Sequence, residues 1–472
     1  MAGLVTALNA ARTSLEVNQK SIEVVGNNIS NVNTEGYSRQ KTTLTPYPAM
    51  NFGDFFIGQG VKVTDVKRDH DVFVTNQLQD KSIDYGLYNG KSRSLSELEG
   101  VFNITEENIA TEVDRFFDSW QELSASPSDL VLRDIVIQRG QILATEFNNT
   151  VNDLNTVKEN INDTIISKVV DINAKINEIA DLNDRVYSIE IQGQTANSAR
   201  DRRDMLSREL AESLGVKTYE DNRGMLAVQL PGGLPLVQGN QAMSIEAVTS
   251  GGSLQLQLHA GGTVRDIGLN NLGGEFQGLV EMRDSFIPAL QEDLDRLAYE
   301  ISTQVNLQHA AGAGLDSVTG RNFFVDPPNL GAGPPAEYVD AARNMAVALT
   351  DSNHVAAAQA PVPPATVAPG DNRNALILSS IGETYLINGS DTFNAYYGKM
   401  TSRVGIEANQ NQLSLEGSED AVVQLQNMRD GLSGVSLEEE MVELIIYQRG
   451  FESSAKFLST VDELMQSLIN MR

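Results

Sequence analysis

The chain has 472 residues, with 35 Lys+Arg against 63 Asp+Glu and a formal net charge of -28 at pH 7. That length predicts roughly two to four domains with an ample core. The acidic excess, with no basic run anywhere, excludes a nucleic-acid or anionic-membrane surface, because phosphate binding needs clustered cations, and the lack of cysteine excludes disulfides, thiol nucleophiles and Cys-type metal sites.

At the front of the chain, Leu4, Leu8, Ala11, Leu15, Asn18, Ile22, Val25 and Ile29 recur with alternating gaps of four and three. This spacing predicts a helix to about Asn31 with an apolar seam along one side. Arg12 and Lys20 balance Glu16 and Glu23, so this helix can pack in a crowded array without charge repulsion. The start lacks the basic region of a secretory signal, and no apolar run reaches about 18 residues. On the residues alone the protein is cytoplasmic, or leaves by a route that cleaves no signal. Asn27, Asn28, Asn31 and Asn33 crowd the helix end, and their simplest role is capping and turn formation.

Residues 31–38 read as a turn, followed by a loop with Pro46, Pro48 and Gly53 and a strand over 55–66. Helices are predicted over 71–103 and 108–123, the second stopped by Pro127. A long amphipathic helix runs from about Leu130 through Ile189, marked by Ile165, Ile172, Ile179 and Val186 at spacings of seven. Another covers 196–214 and ends at Gly215. The pattern then alternates: Leu226, Val228 and Leu230, then Leu254, Leu256 and Leu258, with Asn222-Arg223-Gly224 as a hairpin turn. Helix resumes over 276–309. The Pro-rich stretch 312–370, including Pro327-Pro328, Pro334-Pro335 and Pro363-Pro364, is loop-like and expected to rejoin the β region. Helices return over 372–381 and 391–430. Ser433-Gly434 breaks the chain, and Ser436 with Glu439 forms a capping box for the last helix. There Leu437, Met441, Leu444, Gln448, Phe451, Ala455, Leu458, Asp462, Met465 and Ile469 repeat the first helix's spacing.

The fold class expected is multidomain and mainly α: terminal helices paired as a coiled coil, an interrupted antiparallel helical bundle, and an inserted β-rich outer domain. The domains expected are 1–54 with 433–472, then 55–214 with 276–311 and 372–432, then 215–275 together with 312–371. Asn18, Gln448 and Asp462 interrupt the seams. Such polar positions either fix register and partner or are looser contacts.

Chemistry is sparse. His70, His259, His309 and His354 lie outside any metal-ligand spacing. Residues 86–92, GLYNGKS, lack the first glycine of a phosphate loop and fall in a predicted helix. Ser453 to Lys456 spells SxxK without its companion motifs, and the lone Trp120 reads as core. These residues predict no enzyme, no cofactor and no metal. A pair of long terminal seams predicts a subunit of an assembly, since exposed stripes need a partner helix.

The run 26–40, GNNISNVNTEGYSRQ, resembles the signature of flagellar rod, hook and hook-associated proteins. Asn27, Asn28, Asn31 and Gly36 carry its body, and Tyr37, Ser38, Arg39 and Gln40 point to the hook-associated branch. Residues 58–61, 117–124, 202–204, 369–372 and 433–471 fit the same branch, so the likeness spreads over the whole chain. The resemblance implies a non-catalytic adapter at the hook–filament junction of the bacterial flagellum, serving motility. Its partners would be further copies of itself in a ring, the flagellar hook protein and a second junction protein (FlgL-like). It also implies export through the flagellar type III apparatus and a chaperone (FlgN-like) on the C-terminal helix, residues 436–472. The two seams then become assembly interfaces. Competing readings are the second junction protein or the hook protein, a secreted adhesin, or a cell-wall hydrolase.

Overall fold

The computed structural model describes residues 2–52, 55–102, 108–250, 253–360, 366–387 and 389–470. Pro363-Pro364, Met471 and Arg472 lie outside the described residues. Ten α-helices follow in chain order among them: α1 (Ala2–Ser30), α2 (Val72–Val101), α3 (Ile109–Ala125), α4 (Leu130–Glu190), α5 (Asn197–Leu214), α6 (Gly274–Glu281), α7 (Ile287–Ala311), α8 (Arg373–Ser380), α9 (Phe393–Ser433) and α10 (Leu437–Asn470). A π-helical turn, Met282–Phe286, joins α6 to α7.

The chain divides into two compact units, residues 1–87, 167–276 and 416–472, and residues 88–166 and 277–415. The first unit holds all the longer strands. β1 (Gln40–Pro46) pairs antiparallel with β4 (Val61–Arg68), and β2 (Met50–Phe52) pairs with β3 (Phe55–Ile57). Pro46 and Pro48 suggest a loop before residue 55, yet residues 40–46 and 50–52 are strands. Pro46 closes a two-stranded ribbon, where its missing N–H disturbs no inner ladder. β5 (Lys217–Glu220), β6 (Leu226–Gln229), β7 (Pro235–Gln238) and β8 (Gln241–Ala242) form one antiparallel sheet. β9 (Ser244–Ser250), β10 (Ser253–Ala260) and β11 (Thr263–Asp266) form another.

Both sheets are fastened to α4 by asparagines. Asn183 donates to Leu226 O at 2.8 Å and accepts from Leu226 N at 2.9 Å. Asn173 treats Ile245 the same way, at 2.7 and 2.8 Å. A side-chain amide thus pairs with a strand residue as a neighbouring strand would. Apolar positions at heptad spacing supply the rest: Ile172, Ile176, Ile179 and Val186 are buried. Gly215 ends α5 at φ +70°, and a Cβ there would lie 2.4 Å from the Gly273 Cα, so two backbones cross where only glycine fits.

The second unit is built on an aromatic core. Phe116, Trp120, Phe323 and Phe324 are all buried, with ring centroids 4.9–6.4 Å apart. Such edge-on clusters contribute beyond their buried area. Segment 312–371 lies in this unit, not with β5–β11 as its composition suggested. The reason is visible at Asn306, whose amide donates to Phe324 O and accepts from Phe323 N and Phe324 N, pinning the loop to α7. The segment's only described strands are β12 (Gly312–Ala313) and β13 (Ala358–Gln359), which pair with each other.

His309 closes the same core. Ala356 N donates to its Nε2 at 2.9 Å, so Nδ1 carries the proton and donates to Arg321 O at 2.7 Å. Burial pushes its pKa down to about 4 from the usual 6.5. A depressed histidine stabilises the fold above pH 6.5 and loses that contribution as pH falls towards 4. Asp295, raised by burial to about 6, has the opposite sign, gaining as pH falls through 6. A His309→Gln variant removes only the first effect. Between pH 6.5 and 4 we expect the wild-type chain to lose about 3 kcal/mol more than the variant, read as the difference between their urea midpoints for the unit reported by Trp120 fluorescence.

Candidate assembly interface

The two terminal helices lie against each other within one chain. On α1, Ala11 and Val25 are buried, and Leu4, Leu8, Leu15, Asn18, Ile22 and Ile29 are half-buried. The face carrying Val17 and Ser21 instead meets β1 and β4, with Ser21 Oγ 3.2 Å from Thr42 Oγ1. On α10 the covered positions are Glu440, Leu444, Tyr447, Gly450, Ser454, Leu458, Val461 and Met465. Leu444, Leu458 and Met465 belong to the seam expected from spacing. Ala455 is half-buried beside it. Leu437, Met441, Gln448, Phe451, Asp462 and Ile469 are exposed in the single chain. Apolar spacing alone missed the rotation, because polar contacts set it. Ser14 and Ser454 hydroxyls meet at 2.8 Å. A Cβ on Gly450 would stand 2.6 Å from Asn18 Oδ1, so the helices approach closely at that polar seam position.

At the inner end sits a buried polar latch. Glu440 is 0% exposed. Its carboxylate accepts from Arg39 Nε at 2.6 Å and from Asn28 Nδ2 at 2.9 Å. Arg39 also reaches Glu439 at 2.7 Å and Glu443 at 3.3 Å, and its backbone N–H donates to Ser433 O at 2.8 Å. Glu439, expected to serve the Ser436 cap, thus faces Arg39. Asn28 uses its whole amide: Nδ2 also donates to Gln40 O, while Oδ1 accepts from Gln40 N and from the Tyr37 hydroxyl. Burial, with Asp201 and Glu440 nearby, pushes the Tyr37 phenol up to about 12, so it stays a donor.

The turn between α1 and β1 is gripped from two further sides. Ser38 N donates to Asp201 on α5, which also holds Arg68 at 2.8 Å, and Arg68 reaches Asp204 at 2.7 Å. Arg429 on α9 donates to Gly36 O at 2.8 Å, and Gly36 takes φ +79°. Arg208 pairs with the exposed Glu35. Capping, the simplest role assigned to the asparagine cluster, describes Asn31, whose amide folds back on Asn27. Asn33 is exposed, while Asn28 is the latch. No spacing or motif in the sequence marks Glu440, Asp201 or Arg68 as members of the latch. The one available signal was the Glu438–Glu440 run opposite a lone Arg39.

Residues considered for chemistry are dispersed. His259 pairs with Glu246 across β9 and β10 at 2.9 Å, and His354 stands 3.8 Å from Asp316 and Asp351. His70 is 3.9 Å from Asp204. Lys91 of the GLYNGKS run lies mid-helix in α2, paired with Glu281 and Glu407. Ser453 and Lys456 are exposed on α10, and Trp120 is core. Among the described residues no group of three His, Asp or Glu is placed to hold a metal, and no helix is long and apolar enough to cross a membrane.

Three family models match the chain. The helical domain of flagellar hook-associated protein FlgK covers residues 95–324, the flagellar basal body rod FlgEFG protein C-terminal region covers 432–471, and the flagella basal body rod protein covers 4–37. The last two fall on α10 and on α1 with the gripped turn. Flagellar hook-associated protein 1 of Bacillus subtilis is 26% identical, over 98% of this chain and 97% of its own length. That of Escherichia coli K12 is 25% identical, over 98% and 99%. The structure of the flagellar hook junction protein FlgK from Burkholderia pseudomallei superposes with a TM-score of 0.68 at 16% identity. It covers 76% of this chain and 100% of its own, a likeness of fold.

Proposed function

The chain belongs to the flagellar hook-associated protein family, and from that premise we propose how its ends do the work of a subunit in the hook–filament junction. It is a flagellar protein of the hook-associated junction type, part of a structural assembly of the bacterial flagellum. The observation that carries the mechanism is α10. Its covered side faces α1, yet Leu437, Met441, Ile445 and Ile446 remain exposed on other sides. A helix apolar on several sides belongs in a packed array.

In this reading the α1–α10 pair packs against pairs from neighbouring copies in a ring that joins hook protein below to a second junction protein (FlgL-like) above. The half-buried seam positions of α1, with Leu437, Met441, Gln448, Phe451 and Ile469 of α10, are the contact residues between copies, while Ala11 and Val25 are already covered within one chain. The subunit works by binding alone and catalyses nothing. Export through the type III apparatus, with a FlgN-like chaperone covering residues 436–472, gives the exposed stripe a cover before assembly. The expected assembly region, residues 1–54 with 433–472, belongs to the same proposal.

Deleting residues 436–472 tests it. Hooks should remain on the cell while flagellin is shed to the medium, scored by electron microscopy and by immunoblot of the supernatant. Filaments attached in normal number would reject the junction role.

A further inference from the structure

The β2–β3 hairpin is a second surface without cover in the single chain. Met50 faces Ile57 and Phe52 faces Phe55 across the ladder, so Met50, Phe55 and Ile57 share one side of the ribbon. All three are exposed, with Phe55 at 71%, and Phe56 on the other side is at 75%. A two-stranded ribbon is marginal in water, and one presenting aromatic side chains to solvent is built to be covered.

The charge around it differs from the rest of the molecule. Residues 40–68 carry Lys41, Lys62, Lys67 and Arg68 against Asp54 and Asp65, in a chain that is otherwise strongly acidic. Lys41 and Arg68 are spent on Asp69, Asp201 and Asp204. Lys62 and Lys67 are exposed, and Lys62 stands over the Tyr47 ring at 5.6 Å.

The outward side of α10 is the complement. Met441 and Ile445 lie one turn apart, and Leu437 precedes them by another. Glu438 and Glu452 share this face at helical spacing, and both are exposed. From Met441 to Glu452 the helix rises about 16 Å. From Phe56 to Lys62 an extended chain spans at most about 20 Å. An apolar patch with an acidic group beyond it thus matches an apolar tip with a cation at comparable reach.

We propose that the β2–β3 hairpin of one copy seats its Met50, Phe55 and Ile57 side on Leu437, Met441 and Ile445 of a second copy, with Lys62 facing Glu452. Hairpin and helix are different surfaces, so the contact is head-to-tail and propagates from copy to copy as a ring or helix does. The proposal rests on the junction reading, since only an assembling subunit meets its second copy.

The native chain has no cysteine, which makes cross-linking clean. The probe is the full-length Phe55→Cys/Ile445→Cys chain in isolated hook–filament structures under mild oxidation. A ladder of dimers, trimers and higher multiples is expected, absent from each single variant and from Phe55→Cys/Val264→Cys. The Ser14→Cys/Ser454→Cys chain reports that oxidation worked, since those hydroxyls already touch within one chain. Its disulfide alongside no Phe55–Ile445 ladder overturns the docking, as does a product of monomer size. A Phe55→Ser/Ile57→Ser chain, exported and normally helical by circular dichroism, should cut attached filaments about tenfold or more. Unchanged attachment also overturns it. The two readings fail separately: shed filaments on deleting 436–472 with no ladder removes only the docking, while attached filaments after that deletion removes the junction role.

Discussion

Glu440→Ala is expected to unfasten the terminal helices and strip most cells of filaments while leaving hooks in place. The carboxylate is fully buried and holds two donors from the opposite end of the chain, Arg39 and Asn28. Removing one partner of a buried pair costs about 3–5 kcal/mol, because the other charge is left without compensation. Here that charge is Arg39, whose side chain is only 11% exposed and keeps only the more exposed Glu439 and Glu443, so the lower end of that range is expected. Glu439→Ala is the control. That carboxylate is 64% exposed, so its pair with Arg39 contributes at most about 1 kcal/mol. Counting filaments per hook and measuring the temperature at which filaments detach separates the two. Equal effects of the two substitutions would show that the latch carries no special share. Asn28→Asp should match or exceed Glu440→Ala, since it replaces the donor facing Glu440 with a second negative charge. The Arg39→Ala/Glu440→Ala chain should lose less than the sum of its single substitutions, the mark of groups acting together.

The latch also shows what a sequence can carry. The long helices were legible because apolar residues at 3.5-residue spacing leave few alternatives, as with Ile172, Ile179 and Val186 on α4. The pairing of the two chain ends was legible from their matching stripes. The rotation of α10 was not. Its covered side runs through Glu440, Gly450 and Ser454, which no hydrophobic pattern selects. The same holds for asparagine. Asn28, Asn173, Asn183 and Asn306 each accept from and donate to a residue distant in sequence, at Gln40, Ile245, Leu226 and Phe324. In one dimension they look like the helix-surface asparagines around them. Only the fold shows that each replaces a missing strand neighbour. The Pro-rich composition of 312–371 suggests the strand region, whereas buried Phe323 and Phe324 decide its position in the second unit. Pro46 and Pro48 hide the β1–β4 ribbon, and with it the β2–β3 hairpin of Met50–Phe52 and Phe55–Ile57 that carries the exposed aromatic tip.

Hydrogen exchange should divide the free subunit sharply from the assembled one. In α10 only Glu440 and Val461 are buried, so the helix owes little to the rest of its chain. Helices so thinly covered are marginal in water. Amides over 437–470, and over 2–22 of α1, should therefore exchange in the free subunit within about a hundredfold of an unfolded chain. Those of α4 between Ile172 and Val186, buried against sheets and α5, should be slower by about ten-thousandfold or more. A gradient is expected along the pair. Amides near Asn28 and Glu440 should be slowest, because the latch ties them to α5 and α9 through Ser38, Asp201 and Arg429. Amides near Leu4 and Met465 should be fastest, since they lie at the end of the pair away from the latch. In isolated hook–filament structures the whole of both helices should become protected, as neighbouring copies cover Met441 and Ile445. Strong protection of residues 4–29 in the free subunit would mean the pair is stable by itself. Order on assembly would then play no part in how this protein joins hook to filament.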